Sequence, residues 1–391
     1  MPDGREPIAV KVLTSLADIT PEAWDDCAGP ENPFVRHAFL STLEDSGSAN
    51  AETGWMAQHL IIENQTGGLL AAAPLYLKNH SYGEYVFDWG WADAYERAGG
   101  HYYPKLQCAV PFTPATGPRL LVSADVSEPE AMELRHALCT AMVQLAEKLN
   151  VSSLHVTFPE RAEWEVMGGL GYLQRGGQQF HWENRDYGNF DDFLSQLASR
   201  KRKQLRKERQ KVADLDLTFR ALRGQEITDA HWQAFYKFYR NTIDQKWGQN
   251  YLTPEFFPML GQRLGEAVVL IVAEEHDRTV AGALNLVGGD TIYGRNWGCD
   301  GHYKFLHFET CYYQAIDFAI ANGLKWVEAG AQGPHKIQRG YLPTPTYSAH
   351  WIADPGLRNA VAHFLDDEKR ALKREMAALA GHSPYRQTED G

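Results

Sequence analysis

What this sequence lacks narrows it first. Its 391 residues hold five cysteines (Cys27, Cys108, Cys139, Cys299 and Cys311), an odd number with no C-x-x-C pair. That pattern speaks against a disulfide framework and fits the reduced thiols of a cytoplasmic protein. No apolar run approaches the roughly 20 residues needed to span a bilayer. The longest, Leu69 to Leu77, is nine residues and contains Pro74. Met1 to Pro7 carry both charge signs and no apolar stretch, so no secretory signal is read there. G-x-S-x-G, H-E-x-x-H, Walker A and G-x-G-x-x-G patterns are absent, which sets aside the usual hydrolase, metalloprotease and nucleotide-binding readings. His302 and His307 lie near Cys299, but the spacing matches no zinc pattern and no metal is expected. Basic residues are also in deficit: 38 Lys and Arg face 50 Asp and Glu, a net charge of -12. Any polyanion must therefore find a local basic patch.

What is present suits a globular protein of more than one domain. Single cores rarely grow past about 250–300 residues, so two domains are expected. Strand patterns cover Ile8 to Leu13, Trp55 to Glu63, Leu69 to Leu77, Tyr85 to Trp89 and Leu154 to Phe158. Helix patterns begin near Thr20-Pro21, cover Phe34 to Leu43, and run from Pro129 to Leu149. The second half repeats the grammar. Helices are expected over Phe190 to Val212, His231 to Gln245, Pro254 to Leu264 and Phe305 to Ala321. Strands are expected over Val268 to Glu274, Val280 to Val287, Ile292 to Trp297 and Lys325 to Glu328.

The halves can be laid over each other. Gly68 to Leu75 followed by Tyr85 to Trp91 corresponds to Val280 to Leu286 followed by Tyr293 to Gly298. Ala141 to Phe158 corresponds to Gln314 to Glu328. Matched element order is most simply explained by internal duplication. The expected boundary lies near Tyr187, giving domains 1–187 and 188–391, the second opening on a basic helix over 199–212.

Four segments carry a family likeness: Ser199-Arg-Lys-Arg-Lys-Gln-Leu-Arg-Lys-Glu-Arg, Phe235-Tyr-Lys-Phe-Tyr-Arg-Asn-Thr, Tyr293-Gly-Arg-Asn-Trp-Gly-Cys, and Glu328-Ala-Gly-Ala-Gln-Gly-Pro-His-Lys-Ile-Gln-Arg-Gly-Tyr-Leu-Pro. With Asn32-Pro33-Phe34 and Phe87-Asp-Trp-Gly-Trp, they resemble the FemAB-like proteins, a peptidoglycan biosynthesis or recognition branch of the GNAT acyltransferase superfamily. The resemblance covers nearly the whole chain and is most specific from Gly294 to Pro343. It implies an α/β (α+β type) fold of tandem GNAT-like domains, each a mixed twisted sheet flanked by helices. It also implies acyl transfer, from aminoacyl-tRNA in Fem-type enzymes or from acyl-CoA in the wider superfamily. The superfamily's pyrophosphate loop is a glycine-rich run opening a helix, where backbone N–H groups cradle the anion. The corresponding stretch, Cys299 to His307, has one glycine among bulky aromatics, and the first half's stretch, Ala92 to Gly100, is no better. An aminoacyl-tRNA donor is therefore preferred over acyl-CoA, with no tightly bound cofactor.

Candidate residues fall in three groups. Arg200 to Lys211 holds eight basic residues and one acid. A charge run is usually a solvated face, but in an acidic chain Arg202, Lys203, Arg206 and Lys207 are candidates for seating tRNA phosphates. Ala329 to Ala353 contains no acid. There, Gln332, His335, Lys336 and Arg339 are candidates for holding a carboxylate or phosphate, against the plainer reading of a polar surface loop. Trp297, Tyr341 and Tyr95 are candidate pocket aromatics, though core packing is the commoner fate. Glu328, closing a strand before that loop, and Asp88, among Phe87, Trp89 and Trp91, are candidate general bases, because aromatic desolvation raises a carboxyl pKa. Splaying of the strands around Ile271 to Glu274 and Ile292 to Trp297 is expected to present backbone donors to an oxyanion. The acceptor is read as a peptide, amino-sugar or other amine. The alternatives are an acyl-CoA N-acetyltransferase and a non-catalytic module binding a peptide or cell-wall precursor.

Overall fold

A computed structural model describes residues 8–245, 250–330 and 333–386. Gln332 lies outside the described residues. Among the described residues there are fifteen strands. The first eight are β1 (Val10–Leu13), β2 (Met56–Ala57), β3 (His59–Glu63), β4 (Leu69–Ala73), β5 (Leu75–Lys78), β6 (Lys105–Cys108), β7 (Leu121–Val122) and β8 (Ser153–Thr157). They are followed by β9 (Leu173–Glu183), β10 (Leu217–Arg223), β11 (Val268–Glu275), β12 (Arg278–Gly288), β13 (Thr291–Cys299), β14 (Trp326–Glu328) and β15 (Leu342–Ile352).

The chain forms two compact units, Met1–Gly177 with Thr346–Leu372, and Gln178–Pro345 with Lys373–Gly391. The division expected between 187 and 188 thus falls ten residues earlier, and the first unit takes back a C-terminal segment. The physical reason is that β9 ends before the expected boundary and its last three residues, His181–Glu183, already pair with β14 of the second unit, while β15 supplies Ser348–Ile352 as antiparallel partners to Thr157–Ser153 of β8.

In the first unit, β1, β3, β4 and β7 form one antiparallel sheet. A second sheet runs β2, β5, β6, β8 and the C-terminal part of β15. Its β6 and β8 are parallel and its other described pairs antiparallel. Pro74 explains why the single strand read over Leu69 to Leu77 divides into β4 and β5, since proline cannot donate to a ladder. The helix Glu128–Lys148 carries the chain from the β6 side across to β8. It buries Leu134, Leu138 and Met142 against Leu106, Leu154 and Val156.

In the second unit, β10, β11, β12 and β13 form an antiparallel meander, and β13 then pairs in parallel with β14, whose other edge takes β9. The crossover is the helical run from Leu306 to Ala321, interrupted by a π-turn at Glu309–Tyr313. Its Tyr312, Tyr313, Ile316 and Ala319 pack on Val269, Ile271, Ile292 and Val327.

The repeat is therefore present, with a different register from the one read in the sequence. The unit β5, β6, helix, β8 matches β12, β13, helix, β14, each ending in a parallel pair. The counterpart of Tyr293 to Gly298 is β6, not Tyr85 to Trp91, which forms a loop and the start of a helix over Trp89–Arg97. The helix expected over Phe190 to Val212 is two helices, and the basic run lies wholly in the second. Leu197 is extended and bridges to Tyr385, and Ala198 N–H donates to Pro384 O, separating Phe190–Gln196 from Ser199–Ala213.

Candidate functional site

In the second unit the geometry converges on the end of β14. Pairing of β13 with β14 spans three positions, Thr291↔Trp326, Ile292↔Val327 and Tyr293↔Glu328. β14 then stops, while β13 continues six residues further. The two strands part at Gly294, where an added Cβ would lie 3.3 Å from Glu328 O. A bulge helps turn β13 away. Leu284 pairs with Asn296 and Asn285 with Gly294, so Arg295 is the extra residue, and bulges bend strands and re-aim side chains. The splay expected between the segments near Ile271 and Ile292 is thus misplaced. β12 lies between β11 and β13 and pairs with both, and the opening strands are β13 and β14.

Glu328 closes β14 at this opening. Its side chain is 14% exposed, and His181 Nδ1, from the residue paired with it on β9, stands 3.7 Å from its carboxylate. Burial pushes the carboxyl up to about 8, with Arg295 opposing. Burial, reinforced by the Lys336 charge, pushes His181 down to about 4, so His181 is a neutral neighbour. Lys336 is 1% exposed, donates to Gly330 O at 2.8 Å, and is pushed by burial down to about 8.

The candidate ligand-holding segment, whose plainer reading is a polar surface loop, is largely buried from Lys336 to Tyr341. Pro334–Arg339 forms 3-10 turns, and Ile337, Arg339 and Tyr341 are 3%, 4% and 0% exposed. Arg339 donates to Glu208 at 2.9 Å and to His335 O at 2.9 Å, with its guanidinium 3.4 Å over the Phe308 ring. Glu208 also accepts from Tyr313 at 2.5 Å and Gln204 at 3.0 Å. Arg339 is thereby the internal partner of the one acid in the basic helix. His335 meets Tyr312 at 3.1 Å. Tyr341 is core, and Trp297, half-buried, packs against core residues and the His307 ring at 4.9 Å. Tyr95 belongs to the first unit's core with Trp91 and Tyr102.

The helix that follows β13 offers little to an anion. Leu306 N–H donates to Tyr303 O, and Phe308 and Glu309 N–H both donate to Phe305 O. Glu309 is a buried acid in the same turn, its carboxyl raised by burial. On the basic helix, Lys203, Arg206 and Lys207 are exposed and Arg202 is half-buried. Arg206 pairs with Asp191 at 2.8 Å. Arg209 turns inward to Glu309 and Asp317.

The first unit holds a different constellation that sequence reasoning largely missed. Lys105, fully buried, donates to Asp88 at 2.5 Å, Glu84 at 2.7 Å and Ser81 at 2.8 Å. Tyr102 O–H donates to Asp88 at 2.7 Å and lies 3.1 Å from His155 Nε2, and His155 meets His350 at 2.7 Å. Asp88 was expected to have a raised pKa. Burial does push it up, but Lys105 and then His155 overcome that and hold it below its ordinary range. The aromatics around it are not its closest neighbours; an ammonium is. A readable signal existed for the histidines. Ser153-Leu-His155 and Ser348-Ala-His350 repeat a polar alternation inside apolar strands, which places Ser and His on one face. Among the described residues, no three His, Cys, Asp or Glu side chains converge as metal ligands, and no helix is long and apolar enough to cross a membrane.

Two units, each an antiparallel meander followed by a helical crossover to a parallel strand, define a tandem acyltransferase-type α/β protein of the GNAT-like class. The chain belongs to the FemAB-like family, described by peptidoglycan biosynthesis and recognition, whose family model matches residues 15–387. Among solved structures, FemX superposes with a TM-score of 0.54 at 12% identity, over 88% of this chain and 98% of that one. The C-terminal domain of a putative lysylphosphatidylglycerol synthetase from Agrobacterium fabrum gives 0.53 at 10% identity, over 90% and 97%. A protein of unknown function from Bacteroides thetaiotaomicron gives 0.50 at 10%, over 89% and 100%. At these identities the likeness is one of fold. A search of curated proteins finds no match.

Proposed function

We propose that this protein transfers an acyl group, aminoacyl-tRNA being the favoured donor, onto a primary amine at the opening between β13 and β14, with Glu328 carrying the proton. The observation that supports the reading is Glu328 itself. It is a carboxyl pushed up to about 8 and still 14% exposed, at the one place where the parallel pair parts. In the reaction the amine nitrogen attacks the carbonyl carbon, the new C–N bond forms, and the C–O bond to the donor breaks. The amine loses one proton and the departing oxygen gains one. A single carboxyl with a pKa near the working pH serves both transfers. The edge of β13 beyond Tyr293, no longer paired with β14, is where backbone N–H groups would meet the oxyanion. The choice of donor rests on the helix after β13, whose leading N–H groups are used internally beside buried Glu309, a poor setting for a pyrophosphate.

The test is transfer of a labelled group to a panel of amines from aminoacyl-tRNA and, in parallel, from acetyl-CoA. Transfer from tRNA that Glu328→Gln abolishes supports the reading. Efficient transfer from acetyl-CoA overturns the donor, and full activity in Glu328→Gln overturns the base.

A further inference from the structure

The first unit contains a cavity of about 280 Å³ that acyl transfer at Glu328 does not use. It lies between two helices. Gly90, Trp91 and Ala94 come from the helix Trp89–Arg97, and Leu357, Ala360, Val361 and Phe364 from Pro355–Ala380, with Phe87 and Arg175 completing the wall. The space exists because the facing side chains are small. A Cβ built on Gly90 would meet nothing within 4 Å. Its rim is apolar and wet, with Phe87 56% and Phe364 47% exposed. Trp89 and Tyr82, 43% and 37% exposed and stacked edge to face at 5.0 Å, come from the same chain segment as Phe87. Exposed apolar surface collected around a concavity marks a binding site more often than scattered apolar residues do.

The wall also says what fits. Its one charge, Arg175, is matched. Nε and Nη2 bond the two carboxylate oxygens of Glu368 at 2.8 and 2.7 Å, and Nη1 donates to Phe87 O at 2.8 Å. The guanidinium lies 5.2 Å over the Trp91 ring, so the indole face is already occupied by a cation and does not invite a second. A charged guest thus meets no unmatched partner, and a sugar has few groups to bond. At the ~30 Å³ that one water molecule takes in the liquid, the space holds about nine non-hydrogen atoms. We propose that this cavity binds a linear, uncharged hydrocarbon chain, the tail of an amphiphile, entering past Phe87 and Phe364. The site is independent of the chemistry assigned to Glu328, because it is read from binding and not from turnover.

Calorimetric titration of the full chain with 1-butanol, 1-hexanol and 1-octanol tests it, with the matching alkanoates as the charged arm. Each added methylene should tighten binding about fourfold until the space is filled. Alkanoates should bind no tighter than alkanols. Gly90→Leu puts a side chain into open space on a helix, so the fold should survive, and it should weaken octanol binding at least tenfold. Ala360→Trp should do the same, with thermal melting to confirm folding of both. Affinity independent of chain length, alkanoates preferred by tenfold or more, or folded Gly90→Leu binding octanol as the wild type does, would each overturn the assignment.

Discussion

His155 Nδ1 lies 2.7 Å from His350 Nδ1, and the direction of that bond follows from Asp88. Asp88 is ionised and accepts from Tyr102 O–H, so the Tyr102 oxygen accepts from His155 Nε2–H. His155 is then a neutral ring whose Nδ1 accepts, and His350 must donate from its own Nδ1. His350 Nε2 is left to accept from the Ser348 hydroxyl at 2.9 Å. One carboxylate thus sets two tautomers across paired strands. Burial, aided by the Lys105 charge, pushes His155 down to about 3, and burial with His155 pushes His350 well below its ordinary value.

That arrangement predicts acid sensitivity. Both histidines bind a proton more readily unfolded than folded, so the unfolded state is favoured as pH falls below about 6.5, by up to ~1.4 kcal/mol per pH unit for each ring. Their contribution is complete above that pH and declines towards pH 3. Urea unfolding at pH 5 and pH 7 should show His350→Gln with a smaller loss of stability between the two than the wild type. An unchanged difference would mean the pair is not held neutral.

Glu328 carries the opposite sign. Its folded pKa, about 8, lies above the ordinary 4.5. The folded state therefore holds the extra proton, and stability falls as pH rises through that window. Glu328→Gln should flatten this fall and keep the fold. It should also lower transfer by about 10²–10⁴-fold, the usual range for a lost acid–base group. The wild-type rate should rise with pH towards about 8, and the variant should lose that limb. A variant that loses activity and stability together at every pH would make Glu328 structural.

The sequence made the units legible and hid their joints. Glu128–Lys148 read correctly from apolar residues near helical spacing, and β11 and β12 from short unbroken apolar runs bounded by turn residues. β9, β10 and β15 were missed. β9 mixes Gln174, Arg175, Gly176 and Gly177 with its apolar residues, and half of β15 reads as a turn sequence with Pro343 and Pro345. Those strands are specified by their neighbours more than by local pattern. The same gap displaced the first unit's site. Asp88 was visible among aromatics, but Lys105 sits in a four-residue buried strand and His350 comes from the far end of the chain. Nothing local ties those three together.

Arg339, read at first as a ligand-holding residue, is expected to act on stability. Its guanidinium is matched to Glu208, and the two side chains are 5% and 6% exposed. Removing one partner leaves a buried charge unpaired, which costs roughly 3–5 kcal/mol. Glu208→Gln should lower the urea midpoint accordingly, and Glu208→Leu with Arg339→Met together should recover part of it. Equal stability in Glu208→Gln and the wild type would return Arg339 to the list of ligand-binding candidates.

The basic helix offers the sharpest division between ligand seat and solvated face, because its charges are unequally committed. Arg209 is occupied by Glu309 and Asp317 and stacks on Phe190 at 4.3 Å. Arg206 has Asp191, while Lys203 and Lys207 are exposed one helical turn apart. If tRNA is the donor and sits on this face, each phosphate contact releases counterions, and log affinity falls with log salt by about 0.7–0.9 per contact. Lys203→Ala with Lys207→Ala should therefore flatten the slope by roughly 1.4–1.8 while leaving stability nearly unchanged, as exposed substitutions usually do. Asp191→Asn should strengthen binding at low salt, since it frees Arg206. Arg209→Ala should leave the slope alone and lower stability, because Glu309 and Asp317 lose their shared cation. Filter binding between 50 and 200 mM salt, the range over which such contacts are resolved, reads all three. If the lysine pair leaves the slope unchanged, the helix is a solvated face and the donor must be held elsewhere.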